Sequence, residues 1–272
     1  MRGAVGTVEG FDYGLVTPVA AQLIAWFGGA LGLRCTTRAL RTEGPARLGR
    51  LALAAVALGS GVWAVYVVAM MGFSVAETPV GYDRRLAVAG CAVAVAMAGL
   101  GVFVVGHRGA TALALVTGGT LTGLGIATVH YLGMAGVRLQ GRLEYQTSTV
   151  VLSVLVAVVA ATGALWLAVA ARGFWPGLGA GLIMGVAITG MHYTGMAALR
   201  VRLSAADPVA DPGGLPAVCS LAPLLTGPVV LLLAAGAAVL FDPRPAPDDR
   251  ASPPSPSPPR ARRSPSVPAR DR

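Results

Sequence analysis

"VVLSVLVAVVAATGALWLAVA", Val150 to Ala170, runs for 21 residues without a charge. As a helix rising 1.5 Å per residue it is about 31 Å long, which matches the hydrocarbon core of a bilayer. A helix of a soluble domain shows a polar face, and this stretch has none. The same reading extends along the chain in both directions. No Asp, Glu, Lys or Arg occurs between Asp12 and Arg34, Arg50 and Glu77, Arg85 and Arg108, Arg108 and Arg138, Glu144 and Arg172, Arg172 and Arg200, or Asp211 and Asp242. Seven membrane-spanning helices are expected, at roughly 14–33, 50–73, 85–105, 111–137, 148–171, 175–199 and 219–241. Composition agrees, because only 12% of the 272 residues are charged against 55% hydrophobic, where a soluble domain carries roughly 25% charged. The fold class is therefore all-α, a polytopic transmembrane helical bundle.

All 21 basic residues are arginine, for a net charge of +9. They lie in loops and tail, not on one folded face, so they read as orientation signals and no nucleic-acid partner is expected. Arg34, Arg38, Arg41, Arg47 and Arg50 crowd the first loop, against a lone Arg2 before it. The positive-inside rule makes that loop cytoplasmic and the N-terminus external, and seven spans then put the C-terminus inside. The first span follows Glu9 and Asp12 and has no small-residue cleavage site, so it is expected to be retained. The stretch from Asp242 is dominated by Pro, Ser and Arg, a composition that cannot bury a core. The expected division is a membrane domain over 1–241 and a disordered cytoplasmic tail over 242–272, with membrane lipid and an unidentified cytoplasmic signalling protein as partners. Cys35, Cys91 and Cys219 are too scattered for a disulfide framework or a CxxC site.

The chain also repeats itself. "GSGVWAVYVVAMMGF" from Gly59, "GLGIATVHYLGMAGV" from Gly123 and "GVAITGMHYTGMAAL" from Gly185 align without gaps. Tyr66, His130 and His192 fall in register at offsets of 64 and 62 residues, with Met70, Met134 and Met196 four residues later. A threefold repeat of helix pairs follows, with the even-numbered helices bringing equivalent residues to one depth. Positions i and i+4 share a helix face, so each histidine is expected to stack with the methionine that follows it. Gly133 and Gly195 remove bulk between them and favour close helix approach.

Each histidine lies eight residues, about 12 Å, inside Arg138 or Arg200. Ionisable residues at such depth face the bundle interior and mark a site. Neutral imidazole with thioether is a soft donor set that suits copper, Cu(I) above all. The candidate metal ligands are His130, Met134, Met191, His192, Met196 and Met70. The alternative is hydrogen-bonding glue with methionine as gap-filler. Tyr131 and Tyr193, one residue on, point about 100° away, as interfacial anchors do. With Tyr66, they are the tyrosines placed to contact a cofactor. His107, beside Arg108 in a loop, reads as solvated.

"MHYTGM" at 191–196 and "VHYLGM" at 129–134 resemble the signature of the MHYT-domain family of bacterial integral membrane sensors. The resemblance runs from about residue 11 to 200 and includes "FDYGLV" ahead of the first helix. It implies a helical sensor domain that binds copper through Met and His, responds to oxygen, carbon monoxide or nitric oxide, and is often fused to cyclic-di-GMP synthesis or degradation domains or to a kinase. The first copy departs from the pattern, with Val65 and Tyr66 in the places of Met and His and Ala69 in that of glycine; in the second, Val129 replaces the methionine. Two histidines therefore remain where the family pattern has three. Nothing after Asp242 reads as a cyclase, phosphodiesterase or kinase, so a stand-alone sensor that is not an enzyme is expected. No nucleophile–base pair, carboxylate dyad or phosphate loop argues otherwise. The rival readings are a metal or proton transporter and a b-type haem protein held by His130 and His192.

Overall fold

The computed structural model describes residues 5–9, 14–170, 174–203 and 217–241. The chain divides into two units, Met1–Leu240 and Phe241–Arg272; the expected tail falls outside the described residues. Seven helices appear: α1 (Val16–Ala39), α2 (Pro45–Met71), α3 (Arg84–Arg108), α4 (Ala112–Ala135), α5 (Thr147–Ala170), α6 (Phe174–Ala197) and α7 (Ala217–Phe241). Their starts follow local chemistry. Pro45 opens α2 behind Gly44, whose φ of 68° suits glycine alone. Asp83 caps α3 by accepting from the amides of Arg85 at 2.9 Å and Leu86 at 3.3 Å. Thr111 caps α4 through the amide of Ala114.

Six of these helices are long and apolar enough to cross a membrane, so this is a multi-pass membrane protein. The seventh, α6, is 24 residues long like α4 and α5 and is packed between α5 and α1.

Helices α1 to α6 form a closed ring in which each packs on the next and α6 returns to α1. Inside the ring α2, α4 and α6 also meet one another. The most enclosed is α2, 83% buried over its core window against 28–33% for α3 and α5. Three repeat-equivalent glycines show how the ring is built. A Cβ on Gly59 would lie 2.5 Å from the Val95 Cα of α3, and one on Gly123 would lie 2.5 Å from the Val158 Cα of α5. At the third position, Gly185, the neighbours are the Gln22 side chain at 2.9 Å and the Trp26 backbone at 3.2 Å, both on α1. The third repeat is thus completed by the first helix. Thr189 adds a polar tie there, donating to Gln22 Oε1 at 2.6 Å. Helix α7 stands outside the ring and rests on α1, Leu232 against Gly28 and Gly236 against Phe27.

The loops at one end of the bundle hold short antiparallel strands, which the hydropathy pattern does not announce. They are β1 (Val5–Gly6), β2 (Val8–Glu9), β3 (Ser74–Val75), β4 (Gly81–Tyr82), β5 (Val137–Arg138), β6 (Gly141–Tyr145) and β7 (Leu199–Leu203). Pairing runs around the ring: β4 with β5, β6 with β7, β7 with β1, and β2 with β3. The N-terminal segment therefore closes the circle between the third loop and the first. A polar clasp reinforces three of these four pairings. Arg138 pairs with Asp83 at 2.8 Å, Arg202 with Glu144 at 2.7 Å, and the Thr7 amide donates to Glu77 at 2.8 Å. Alternation in "LRVRL" explains β7, with Leu199 and Val201 turned inward and Arg200 and Arg202 exposed.

Gly123→Val must push α4 from α5 and is expected to lower stability by at least about 1–3 kcal/mol. Gly163→Ala, whose Cβ meets nothing within 4 Å, should be neutral or stabilising; thermal unfolding in detergent compares them. The Thr7 amide holds the Glu77 carboxyl below its ordinary 4.5, and the Arg138 guanidinium does the same for Asp83 below 3.8. Both groups are depressed in the folded state, so their contribution is present above those ordinary values and is lost as pH falls through the folded ones. Amide protection of 5–9, taken against the intrinsic exchange rate at each pH, should fall at acid pH, and Glu77→Gln should show low protection already at neutral pH.

Candidate functional site

The three even helices converge below the strand cap. There the imidazoles of His130 and His192 touch, Nδ1 to Nδ1 at 3.1 Å, with ring centroids 4.8 Å apart and planes at 86°. They are 3% and 4% exposed. A hydrogen bond between two Nδ1 atoms requires one to be protonated and the other bare. The Nε2 of His130 is buried without a hydrogen-bond partner. Two imidazoles from separate spans therefore face each other, as the register of the repeats implied.

Next to them is a small internal void, about 10 Å³, lined by nine residues that form three complete repeat triplets. The layer nearest the cap is Tyr66, His130 and His192; the next is Val65, Val129 and Met191; the last is Val62, Ile126 and Ile188. The void therefore lies on the pseudo-threefold axis of the repeats. Its volume is about that of one water molecule or ion. Polar donors come from the first layer, and the only sulfur among the nine comes from Met191.

Glycines seat the rings. A Cβ on Gly195 would lie 2.6 Å from His130 Nε2, and a Cβ on Gly133 would lie 2.2 Å from the Tyr66 ring. Each aromatic ring occupies the notch left by the glycine of the following repeat. The matching position in the first copy is Ala69, also buried.

The candidate residues divide accordingly. His130, His192, Met191 and Tyr66 come together at the void. Met70 and Met134 are fully buried and Met196 half-buried, but none of the three lines it. They sit one turn nearer the strand cap, since position i+4 continues along the same face and away from the void. Of the six expected ligands, His130, His192 and Met191 line the void. Tyr131 and Tyr193 also lie off the void. The Tyr131 hydroxyl bonds Ser153 Oγ at 2.8 Å and its ring meets Tyr145 edge-on, and Tyr193 stands edge-on to His192. The apolar walls Val62, Ile126 and Ile188 went unnoticed in the sequence, although the gapless alignment already placed them in register.

Among the described residues no group of three or more His, Cys, Asp and Glu is assembled. An ion here would therefore rest on two imidazoles and a thioether. Imidazole nitrogens lie about 2.0–2.1 Å from a tetrahedral ion, so a pair of them stands roughly 3.3 Å apart; the observed 3.1 Å is close to that. With the small void beside the two Nδ1 atoms, the residues fit a single soft ion. They do not fit a haem, whose porphyrin would have to wedge between rings already in contact.

A ring of six helices, a threefold repeat and a buried histidine pair define a multi-pass membrane domain. The chain belongs to the MHYT family, described as a bacterial signalling protein N-terminal repeat, with three matching copies at residues 59–118, 123–181 and 185–247. It is 34% identical over 197 residues to the bifunctional diguanylate cyclase/cyclic di-GMP phosphodiesterase MucR of Pseudomonas aeruginosa, covering 71% of this chain and 29% of that protein. The cyclic di-GMP phosphodiesterase NbdA of the same organism is 35% identical over 167 residues, 58% of this chain and 21% of that protein. The signaling protein YkoW of Bacillus subtilis is 29% identical over 159 residues, 56% of this chain and 20% of that protein. The chain thus spans less than a third of the length of these curated relatives. No solved structure matches it.

Gly195→Ala should drive the His130 ring from its notch and break the Nδ1–Nδ1 contact. Nitrogen-15 spectra of histidine-labelled protein should then show two uncoupled imidazoles in place of the bonded pair.

Proposed function

We propose that this chain is a membrane sensor whose input site is the axial void, and that its ligand is a soft metal ion, Cu(I) foremost. One observation supports this above the others: two imidazoles and one thioether surround an ion-sized void in spans whose central stretches carry no Asp, Glu, Lys or Arg. Helical glue would need a hydrogen bond but no void beside it. A soft donor set without carboxylate favours Cu(I) over Mg or Ca. Bound copper would supply a redox-active centre able to take a diatomic gas.

The chain's own residues would do the rest. His130 and His192 present nitrogen, Met191 sulfur, and Tyr66 a hydroxyl-bearing ring in the same layer. The apolar layer of Val62, Ile126 and Ile188 excludes water and offers no ionisable stepping stone toward the other end, which favours sensing over transport. Because α2, α4 and α6 each contribute to the site, occupancy biases how the three meet, and a change in their packing travels along rigid helices. By the positive-inside rule the strand cap faces outward and the arginine-rich α1–α2 loop faces the cytoplasm. The relatives named for cyclic di-GMP turnover suggest that the signal is passed to such chemistry, on this chain's own polypeptide or on a partner.

Metal analysis of protein loaded with Cu(I) tests the reading. One copper per chain is expected in the wild type and none in His130→Ala/His192→Ala. Met191→Val, which gives the third repeat the residue of the other two, should weaken Cu(I) binding while leaving the fold intact. Equal copper in wild type and double variant would remove the site.

A further inference from the structure

Each repeat sets one ring in the layer of the axial void nearest the strand cap, and one of the three is a phenol. Tyr66 stands where the other copies have His130 and His192. How the rings are seated decides what each offers an ion. A Cβ on Gly195 would lie 2.6 Å from Nε2 of His130, so the outer edge of that imidazole fills the glycine notch. Its Nδ1 is left on the inner side, 3.1 Å from Nδ1 of His192. A Cβ on Gly133 would lie 2.5 Å from the hydroxyl oxygen of Tyr66. The polar tip of the phenol therefore lies in its notch, and the part of the ring beside the void is carbon. An imidazole at position 66 would seat by the contact that already holds His130, with a nitrogen turned inward.

We propose that Tyr66 is the specificity-determining residue of the axial site: by withholding the third nitrogen from its layer, it excludes divalent ions such as Zn(II) and leaves the site to Cu(I). The inference rests on the reading of this void as a metal site. Zinc is held by at least three protein donors drawn from imidazole, thiolate and carboxylate. The void offers two imidazoles, one thioether and no carboxylate. A dication there would stand largely uncompensated among Val62, Val65, Ile126, Val129 and Ile188. Cu(I) carries half that charge, and two nitrogens with a soft sulfur suit it. Three imidazoles from three spans would instead make the donor set of the three-histidine zinc sites. Tyrosine at this position is thus a selectivity device, not a lost ligand.

The test loads the purified full chain in detergent with Cu(I) under reductant, with Zn(II), or with Co(II) as a coloured stand-in for zinc. Wild type, Tyr66→His and Tyr66→Phe are compared. Metal analysis gives the stoichiometry, the visible absorption of tetrahedral Co(II) reports its donors, and thermal unfolding checks each fold. The wild type should retain neither Co(II) nor Zn(II). Tyr66→His should bind one Co(II) per chain, displaced by Zn(II), at least about 100-fold more tightly than the wild type, since changes behind the ligands alone alter metal affinity by roughly 10–100-fold. Tyr66→Phe keeps the ring but adds no nitrogen, and should show no such gain. One tightly held Zn(II) in the wild type overturns the proposal whether or not Tyr66→His folds. An equal gain in Tyr66→Phe also overturns it, as does a Tyr66→His that unfolds at the wild-type Tm and still refuses Co(II). A wild type without Cu(I), beside a Tyr66→His that gains Co(II), sinks the copper reading and supports the role of Tyr66.

Discussion

The radius of the ring is set where Gly59, Gly123 and Gly185 let an even helix meet the backbone of its odd neighbour. Without side chains at those three places the pairs close to backbone contact, and α2, α4 and α6 are carried inward far enough to touch. Everything on the axis depends on that distance. At this radius His130 and His192 reach each other directly, and the nine residues of the three layers enclose a void the size of one ion. A wider ring would separate the imidazoles, and a tighter one would leave no void. Dispersion and close packing, not hydrophobic burial, hold such contacts in lipid, so the small residues are the structural cause and the site is their result.

Much of this was legible in the residues. Gaps between charges gave the helices, and the gapless repeat placed two histidines at one depth with their rings toward a common axis. Met70, Met134 and Met196 do not line the void, for a reason the helix makes plain. Met70, Met134 and Met196 share a face with their histidines but lie a turn nearer the cap, whereas the void is on the other side, where residues i−1 and i−4 face it. Met191 is there by being adjacent. Short strands escaped notice because two-residue pairs carry no periodicity; only "GRLEY" and "LRVRL" alternate at all. The role of α7 was also hidden. The third copy reads as α6 followed by α7, yet the place of the odd helix is taken by α1, and nothing in a linear alignment shows a chain closing on itself.

The polar clasps follow the same circular logic. Asp83–Arg138, Glu144–Arg202 and Glu77–Thr7 each join one repeat to the next, and the last needs the N-terminal segment to complete the round. These groups are exposed, and each ion pair alone is worth little. Their value is in registering the loops that cover the buried site.

Closure of the ring by its own first helix has a consequence for biogenesis. Helix α1 is made about 150 residues before its repeat-type partner α6, so the Gln22–Thr189 tie forms only after the other helices of the ring are made. Until then, the groove of α1 that receives Gly185 is open to lipid or to another chain. A nascent chain halted before α6 would carry α2 and α4 already paired with their neighbours but no complete axis. The interior of the ring is therefore completed in one step, when α6 docks against α1.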